Sequence, residues 1–144
     1  MIDITCKKNT HRSAIAEATI FAKGSTIKKI RHNKIPKGDV FVVARVAGLM
    51  AVKNTVNLIP MCHPIKITAI SFDYKINESS IKVECCVKGI DKTGFEMEAL
   101  TGASIYALTI YDMCKMFDKE MIINDIKLVK KTGGKSDTYI RKKK

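Results

Sequence analysis

Alternating apolar and polar side chains predict two strands near the start of the chain. Ile2, Ile4 and Cys6 alternate with polar neighbours, which predicts a short strand. In residues 14–21, alanine and isoleucine at even positions alternate with larger or polar residues at odd positions. This second pattern predicts a longer strand with two distinct faces.

Helical signals follow these strands. Ser25 is placed to cap a short helical turn before the basic residues 28–31. Asp39 is a favourable N-cap for a helix over residues 40–57. Apolar side chains almost encircle that second helix, so we expect it to be well buried.

The remaining pattern predicts a hairpin, a helix and a last strand. Residues 65–76 and 80–90 read as two strands joined by a polar turn, and the second has one apolar face. A long helix is predicted over residues 96–117, and a strand over residues 121–131. The order strand, helix, strand, strand, helix, strand predicts an α+β, ferredoxin-like antiparallel sheet with helices packed on one face.

Charge narrows the possible partners. The 144 residues carry a formal net charge of +12, although 46% of them are hydrophobic. Such an excess favours a polyanion, which could be nucleic acid, an anionic membrane or a phosphorylated small molecule. The apolar stretch 40–51 contains Arg45 and is too short to span a bilayer, so we expect no membrane partner.

Cysteine content points to a reducing compartment. The chain has five cysteines, an odd number, and none forms a C-x-x-C motif. The N-terminus shows no pattern of a secretion signal. We therefore expect reduced thiols in a cytoplasmic protein, and no metal site.

The first candidate for chemistry is His63, in a loop stiffened by Pro60 and Pro64. Its ordinary pKa range suits a general acid or base. The alternative is a loop histidine that bonds only to backbone.

Carboxylates form the second candidate group. Glu96 and Glu98 cannot share one helix face, so either one points elsewhere or the pair straddles the helix start. Asp112 and Lys115 do face together, and the apolar neighbours of Asp112 make it a candidate for a perturbed pKa. The alternative is a solvated surface ion pair. Glu98 and Asp112 lie about 21 Å apart along the helix axis, so they cannot act on the same atom.

The third candidate is the run Gly133-Gly134-Lys135-Ser136. It is not a Walker loop, because that pattern requires glycine where Val129 stands. The glycine backbone and the nearby lysines could hold phosphate groups. A flexible basic tail is an equal alternative.

Five longer motifs occur in order along the chain. They are residues 37–41 (KGDVF), 57–64 (NLIPMCHP), 92–101 (KTGFEMEALT), 107–115 (ALTIYDMCK) and 131–136 (KTGGKS). In these motifs the sequence resembles the MoaC family, the cyclic pyranopterin monophosphate synthases of molybdenum cofactor biosynthesis. The resemblance covers residues 3–136, so we expect a single catalytic domain over residues 1–136 and a basic, solvated tail over residues 137–144.

The resemblance implies a specific reaction and assembly. Family members convert 3′,8-cyclo-7,8-dihydroguanosine 5′-triphosphate into cyclic pyranopterin monophosphate and release pyrophosphate. They need no redox cofactor. The family has a ferredoxin-like fold and forms a homo-hexamer, a trimer of dimers, with sites at the dimer interface.

The resemblance also assigns roles by position. Asp112 matches the catalytic aspartate and Lys115 its neighbouring lysine. Our hypothesis is that Lys115 is the general acid/base and that Asp112 tunes or shares its proton. The other implied catalytic residues are Lys37, His63, Glu96 and Glu98. The implied substrate-binding residues are Met61, Cys62, His63, Met97, Glu98, Arg12, Lys131 and Lys135.

Two further expectations depend on this resemblance. If the site takes residues from two chains, mixing inactive Lys37→Ala and Asp112→Ala subunits should restore some activity. Gly102 stands where the family usually has alanine, and it should cost up to ~1 kcal/mol of helix propensity.

Two other function classes remain open. A nucleic-acid binder would explain the charge, but the chain has no Trp, few aromatic residues and no nucleic-acid-binding signature. We therefore expect no specific nucleic-acid partner. A structural assembly protein is the third class, because an apolar helix and a hairpin face favour oligomers.

Overall fold

A computed structural model describes residues 1–135 and 138–142. Within these ranges the chain forms five strands and three helices. They are β1 Thr10–Phe21, α1 Gly24–Arg31, α2 Val40–Leu58, β2 Ile67–Ile76, β3 Ser80–Asp91, α3 Glu96–Cys114, β4 Ile122–Thr132 and β5 Tyr139–Ile140. The predicted hairpin, the two long helices and the strand after them are confirmed.

The strands form one antiparallel sheet in the order β2-β3-β1-β4-β5. The order of its first four strands, with helices crossing between them, confirms the ferredoxin-like α+β fold. β1 and β3 are central, and their alternating residues are completely buried. These residues are Ala14, Ala16, Ala18 and Ile20 in β1, and Ile81, Val83, Cys85 and Val87 in β3. The alanines of β1 are small, which lets α3 lie close to the sheet.

The predicted strand at residues 2–6 is wrong. Residues 1–9, all of which the structure describes, contain a turn and no strand. Asp3 Oδ1 accepts hydrogen bonds from the backbone N–H of Thr5 at 2.8 Å and from its hydroxyl at 2.6 Å. Side chain-to-backbone bonds of this kind compete with a strand ladder, so the alternating side chains do not produce a strand.

The cap predicted for α1 is also wrong. Ser25 lies inside the helix, and Lys23 occupies the N-cap without a side-chain cap bond of its own. Asp118, distant in sequence, accepts hydrogen bonds from the Lys23 backbone N–H at 2.8 Å and from the Thr26 hydroxyl at 3.4 Å. A buried carboxylate from the segment after α3 therefore caps α1.

Helix α2 begins as predicted but is only partly buried. Asp39 Oδ1 accepts from the backbone N–H groups of Phe41 and Val42 at 2.9 and 3.0 Å, which confirms the cap. One side of the helix is buried, whereas Val46 and Met50 on another side are 52% and 66% exposed. The prediction of a well-buried helix is therefore wrong within one chain.

Helix α2 ends at Leu58, beyond the apolar stretch 40–51 that is too short to span a bilayer. By length and composition alone, this helix of 19 residues could cross a membrane, and 33% of its apolar 18-residue window is buried within the fold. A core helix with one uncovered side meets the same criterion. Its packing against α3 makes it part of this domain.

The tail contains a strand that the sequence did not predict. β5 pairs with β4 through Lys130 opposite Ile140 and Lys131 opposite Tyr139. The guanidinium Nε of Arg141 donates to the Leu128 carbonyl at 2.7 Å. Part of the predicted solvated tail is therefore attached to the sheet edge; Ser136, Asp137, Lys143 and Lys144 lie outside the described residues.

Candidate active site

One group of candidate residues surrounds the C-terminal end of α3. Asp112 Oδ1 lies 2.7 Å from Lys115 Nζ, and Asp112 Oδ2 lies 2.8 Å from Lys37 Nζ. Lys37 Nζ also donates to the backbone carbonyl of Asp112 at 3.1 Å. We call these three residues the lysine–aspartate cluster. Lys37 comes from the loop before α2, so the fold brings together residues 75 positions apart.

The lysines set the charge state of this cluster. Hydrogen bonds from Lys115 and Lys37 lower the pKa of Asp112 to about 2, and the same contact raises the pKa of Lys115. A perturbed pKa was predicted from apolar neighbours, but the Asp112 side chain is 52% exposed and the cause is the two ammonium groups. At neutral pH Asp112 is a carboxylate, and Lys115 is a better proton donor than acceptor.

A second group lies at the other end of α3, around a cleft of about 240 Å³. The loop segment 61–63 meets the first turn of α3 there. We call it the glutamate cleft, and its lining is Ile2, Ile4, Lys7, Met61, Cys62, His63, Thr93, Gly94, Glu96, Met97 and Glu98. His63, the first candidate, therefore lies in the same cleft as the two glutamates.

Glu98 is the carboxylate most affected by this environment. Its residue exposure is only 4%, and burial raises its pKa to about 7. The neighbouring charge of Glu96 adds to the increase. Glu98 therefore exchanges a proton in the range where a general acid or base works best.

Glu96 has a different position. The helix starts at Glu96 after Phe95, so both glutamates lie within its first turn and do not straddle its start. Glu96 Oε1 lies 3.1 Å from Lys131 Nζ on β4. The carboxylate thus holds a lysine of the last long strand beside the cleft.

A third group forms a basic cleft of about 550 Å³. Its lining is Cys6, Lys7, Lys8, Thr10, Arg12, Gly134 and Lys135, so the predicted Arg12 and Lys135 do come together. The Arg12 guanidinium donates to the backbone carbonyls of Asp91 and Lys92 at 3.0 and 3.1 Å. These bonds fix the arginine as part of the wall.

The two glycines of the predicted phosphate-binding run are required by this wall. Gly133 and Gly134 have φ values of +87° and +86°, which non-glycine residues rarely adopt. A Cβ on Gly133 would collide with the backbone carbonyl oxygen of His11, and a Cβ on Gly134 would displace the Arg12 guanidinium. The loop can therefore approach Arg12 only without side chains at these positions.

The lysine–aspartate cluster and the glutamate cleft stay apart within one chain. Both lie on α3, and the 14 residues between Glu98 and Asp112 correspond to about 21 Å of helix. Lys37, in contrast, touches Asp112. Lys37→Ala and Asp112→Ala would damage the same cluster. A mixture of those two variants is therefore no longer expected to recover activity.

Sequence reasoning missed the N-terminal residues of both clefts. Ile2, Ile4 and Lys7 line the glutamate cleft, although the first two were predicted to belong to a strand. The only available signal was their position shortly before Arg12, one of the substrate-binding residues that the resemblance implies. Their approach to segment 61–63 depends on a turn that alternation does not reveal.

All five cysteines lie in the described part of the chain and are free thiols. Cys85 is buried and Cys86 partly exposed, as expected for neighbours on opposite strand faces. Within residues 1–135 and 138–142, no three His, Cys, Asp or Glu side chains gather as metal ligands.

Comparison with known proteins places these features in a family. The MoaC family model matches residues 1–134. A cyclic pyranopterin monophosphate synthase of Clostridium perfringens (strain SM101 / Type A) is 56% identical over 141 residues, covering 96% of this chain and 89% of that protein. The synthase of Heliobacterium modesticaldum is 49% identical over 143 residues, covering 98% and 90% respectively. On these matches, this chain belongs to the MoaC family.

Proposed function

We propose that this chain is a cyclic pyranopterin monophosphate synthase of molybdenum cofactor biosynthesis. It is a lyase that converts 3′,8-cyclo-7,8-dihydroguanosine 5′-triphosphate to cyclic pyranopterin monophosphate and releases pyrophosphate. Family membership supports the reaction. The structural observation that carries it is the meeting of segment 61–63 with Glu96–Glu98 beside a basic cleft.

Each of the two neighbouring clefts binds a different part of the substrate. A triphosphate carries about four negative charges, which lysine and arginine side chains bind by charge-assisted hydrogen bonds. The basic cleft, with Lys8, Arg12 and Lys135, is the site for the triphosphate. The glutamate cleft, lined by Met61, Cys62 and Met97 together with its acids, is the site for the ring system.

The acids and bases of the clefts suit a rearrangement with several proton transfers. Glu98 exchanges protons near neutral pH, and His63 and Glu96 line the same cleft. Lys131 is held by Glu96 and adds positive charge next to the ring site. These residues therefore serve as proton donors, proton acceptors and electrostatic partners of the substrate.

The lysine–aspartate cluster supplies the catalytic aspartate. Asp112 remains charged and holds Lys115 and Lys37 as ammonium groups. Lys115 therefore acts first as a proton donor, and Asp112 positions it. As the family resemblance implies, the chemistry needs no redox cofactor.

The complete site contains residues of two chains. The separation of the cluster from the glutamate cleft supports this arrangement, because one small substrate cannot reach both within one chain. The glutamate cleft, at about 240 Å³, is smaller than typical small-molecule sites, which supports a wall from a second subunit. The assembly is a homo-hexamer, a trimer of dimers, with sites at dimer interfaces. The enzyme is cytoplasmic.

The test of the proposal is direct turnover. The chain is incubated with the cyclised guanosine triphosphate while pyrophosphate and pterin fluorescence are measured. We expect both products from the wild-type chain and none from Asp112→Asn, which should still bind substrate. Asp125→Asn is the matched control, because Asp125 is exposed and asparagine tolerates its positive φ of 53°.

Two results would contradict the proposal. Near-normal turnover by Asp112→Asn would remove the catalytic role of the aspartate. Salt-sensitive RNA binding without turnover by the wild-type chain would favour a nucleic-acid binder, the alternative that the charge of +12 supports.

A further inference from the structure

The N-terminal arm, residues 1–9, belongs to both clefts. Its Ile2 and Ile4 line the glutamate cleft, whereas Cys6 and Lys8 line the basic cleft. Lys7 lines both. The two cavities therefore adjoin at this residue.

Contacts on either side of the arm determine where Lys7 lies. The amino group of Met1 approaches Met61 Sδ at 3.7 Å, and Lys92 Nζ donates to the carbonyl of Thr5 at 3.0 Å. The backbone N–H of Lys7 donates to the carbonyl of Ile4 at 3.0 Å, which closes a turn. The backbone is thus anchored to the rims of the glutamate cleft, while the Lys7 side chain stays exposed and able to meet a ligand.

A substrate that fills both clefts must cross this junction. On the proposed function, on which this inference rests, the ring system lies in one cleft and the β- and γ-phosphates lie in the other. The part between them is the α-phosphate. This is the group at which pyrophosphate leaves.

The chemistry at that atom benefits from a cation. A hydroxyl oxygen of the sugar-derived part forms a new bond to the α-phosphorus, and its proton passes to a base. The bond from the α-phosphorus to the oxygen bridging to the β-phosphate breaks, and pyrophosphate leaves with that electron pair. Negative charge grows on the bridging and non-bridging oxygens, where an ammonium group stabilises it.

We propose that Lys7 is a catalytic residue that contacts the α-phosphate of the substrate and stabilises the step that releases pyrophosphate. The arm is then part of the active site rather than a leader preceding the domain. Lys8, which lines only the basic cleft, faces the terminal phosphates instead.

The experiment compares Lys7→Gln with Lys28→Gln in the full chain. Lys28 is exposed on α1 and belongs to neither cleft lining, so it controls for the loss of one positive charge. We expect Lys7→Gln to lower kcat/KM by about tenfold or more, the effect of losing a hydrogen bond to a charged group. Inhibition by inorganic pyrophosphate should weaken as well, and Lys7→Arg should regain part of both. Lys28→Gln should match the wild type.

The outcomes separate this inference from the function on which it rests. Unchanged kcat/KM and unchanged pyrophosphate inhibition in Lys7→Gln would overturn the inference while the wild-type activity stands. A wild-type chain that releases no pyrophosphate would overturn the proposed function, and the inference with it. Thermal melting of each variant verifies folding, and calorimetric titration with pyrophosphate gives a second measure that does not depend on turnover.

Discussion

Glu98 is a single buried carboxyl group whose ionisation costs stability at neutral pH. Burial raises its pKa from 4.5 to about 7, so the folded state holds a proton that the unfolded chain releases. Between these two values the folded state binds more protons than the unfolded state. Its free energy of unfolding therefore falls as pH rises from about 4.5 to 7, and this contribution is constant outside that window.

Replacing Glu98 with glutamine should remove this pH dependence. At pH 4 the wild type and Glu98→Gln should have similar free energies of unfolding, because the wild-type carboxyl is protonated in both states. At pH 8 the variant should be more stable by on the order of 1–3 kcal/mol, since it has no buried charge. Urea denaturation at both pH values measures the difference. A gap that is equal at pH 4 and pH 8 would contradict the raised pKa.

Asp112 illustrates the opposite environment. Its carboxylate is half-exposed, and hydrogen bonds from two lysines keep its pKa at about 2. The sequence predicted a special aspartate at this position but not the reason, because Lys37 is remote in the chain. The pairing with Lys115 was predictable, because the two residues are three apart on one helix.

At the scale of elements, the capping of α1 depends on tertiary structure. Asp118 is only 2% exposed, and its carboxylate accepts bonds from the N-terminal end of α1 and from the Glu120 backbone N–H at 3.2 Å. Ser25, the cap that the sequence suggested, lies within the helix. The two residues therefore offer a matched test.

We expect Asp118→Ala to lower the free energy of unfolding by about 1–3 kcal/mol, because it leaves buried donors without an acceptor. Ser25→Ala should change it by less than about 0.5 kcal/mol, as for an ordinary surface position. Urea denaturation of both variants decides the question. A larger loss for Ser25→Ala than for Asp118→Ala would show that the serine, not the aspartate, stabilises the helix.

Gly102 in α3 is explained by packing between elements. A Cβ there would lie 2.5 Å from Val52 Cγ2 on α2 and 2.8 Å from Cys85 Sγ on β3. The sequence predicted only its cost in helix propensity. The structure shows a compensating gain in packing. Because Gly102 has no side chain, α3 packs closely against α2 and β3.

Gly102→Ala should therefore destabilise the protein, although alanine is the better helix former. Overpacking costs about 1–3 kcal/mol, which exceeds the gain of up to about 1 kcal/mol in propensity. Thr101→Ala on the same helix is the control, and it should leave the free energy of unfolding nearly unchanged. A higher melting temperature for Gly102→Ala would contradict the packing argument.

At the scale of the whole molecule, the two ends of α3 form separate parts of the proposed site. If each site combines the glutamate cleft of one subunit with the lysine–aspartate cluster of another, variants from the two parts should complement each other. His63→Ala damages the first part, and Asp112→Ala damages the second. In a mixed dimer, one site carries both changes and the other carries neither.

Mixing inactive His63→Ala and Asp112→Ala subunits should therefore restore about a quarter of the wild-type activity at full random exchange, given a two-fold symmetric pair of sites. Lys37→Ala mixed with Asp112→Ala is the control. It should restore none, because both residues lie in one cluster and every site keeps one defect. Subunit exchange is verified by native mass spectrometry. Absence of rescue by the first pair despite exchange would place the whole site within one chain.

The uncovered side of α2 belongs to the same scale. Val42, Val46 and Met50 are all more than half exposed, although the sequence predicted burial from their apolar character. The sequence pattern predicts a helix that is apolar on most sides, and α2 is apolar on most sides. A single chain covers only part of this apolar helix surface, which is consistent with the proposed assembly.

The sequence by itself determined the strands and helices that depend on local periodicity, the cap at Asp39, and the family through five motifs. Period-2 and period-3.6 patterns report which faces are apolar, and a cap lies next to the helix that it serves. The tertiary structure decided what meets across the chain: Lys37 with Asp112, Asp118 with α1, the arm with both clefts, and Gly102 with its neighbours. These contacts join residues far apart in sequence, and their energies depend on distance and burial, which no local pattern encodes.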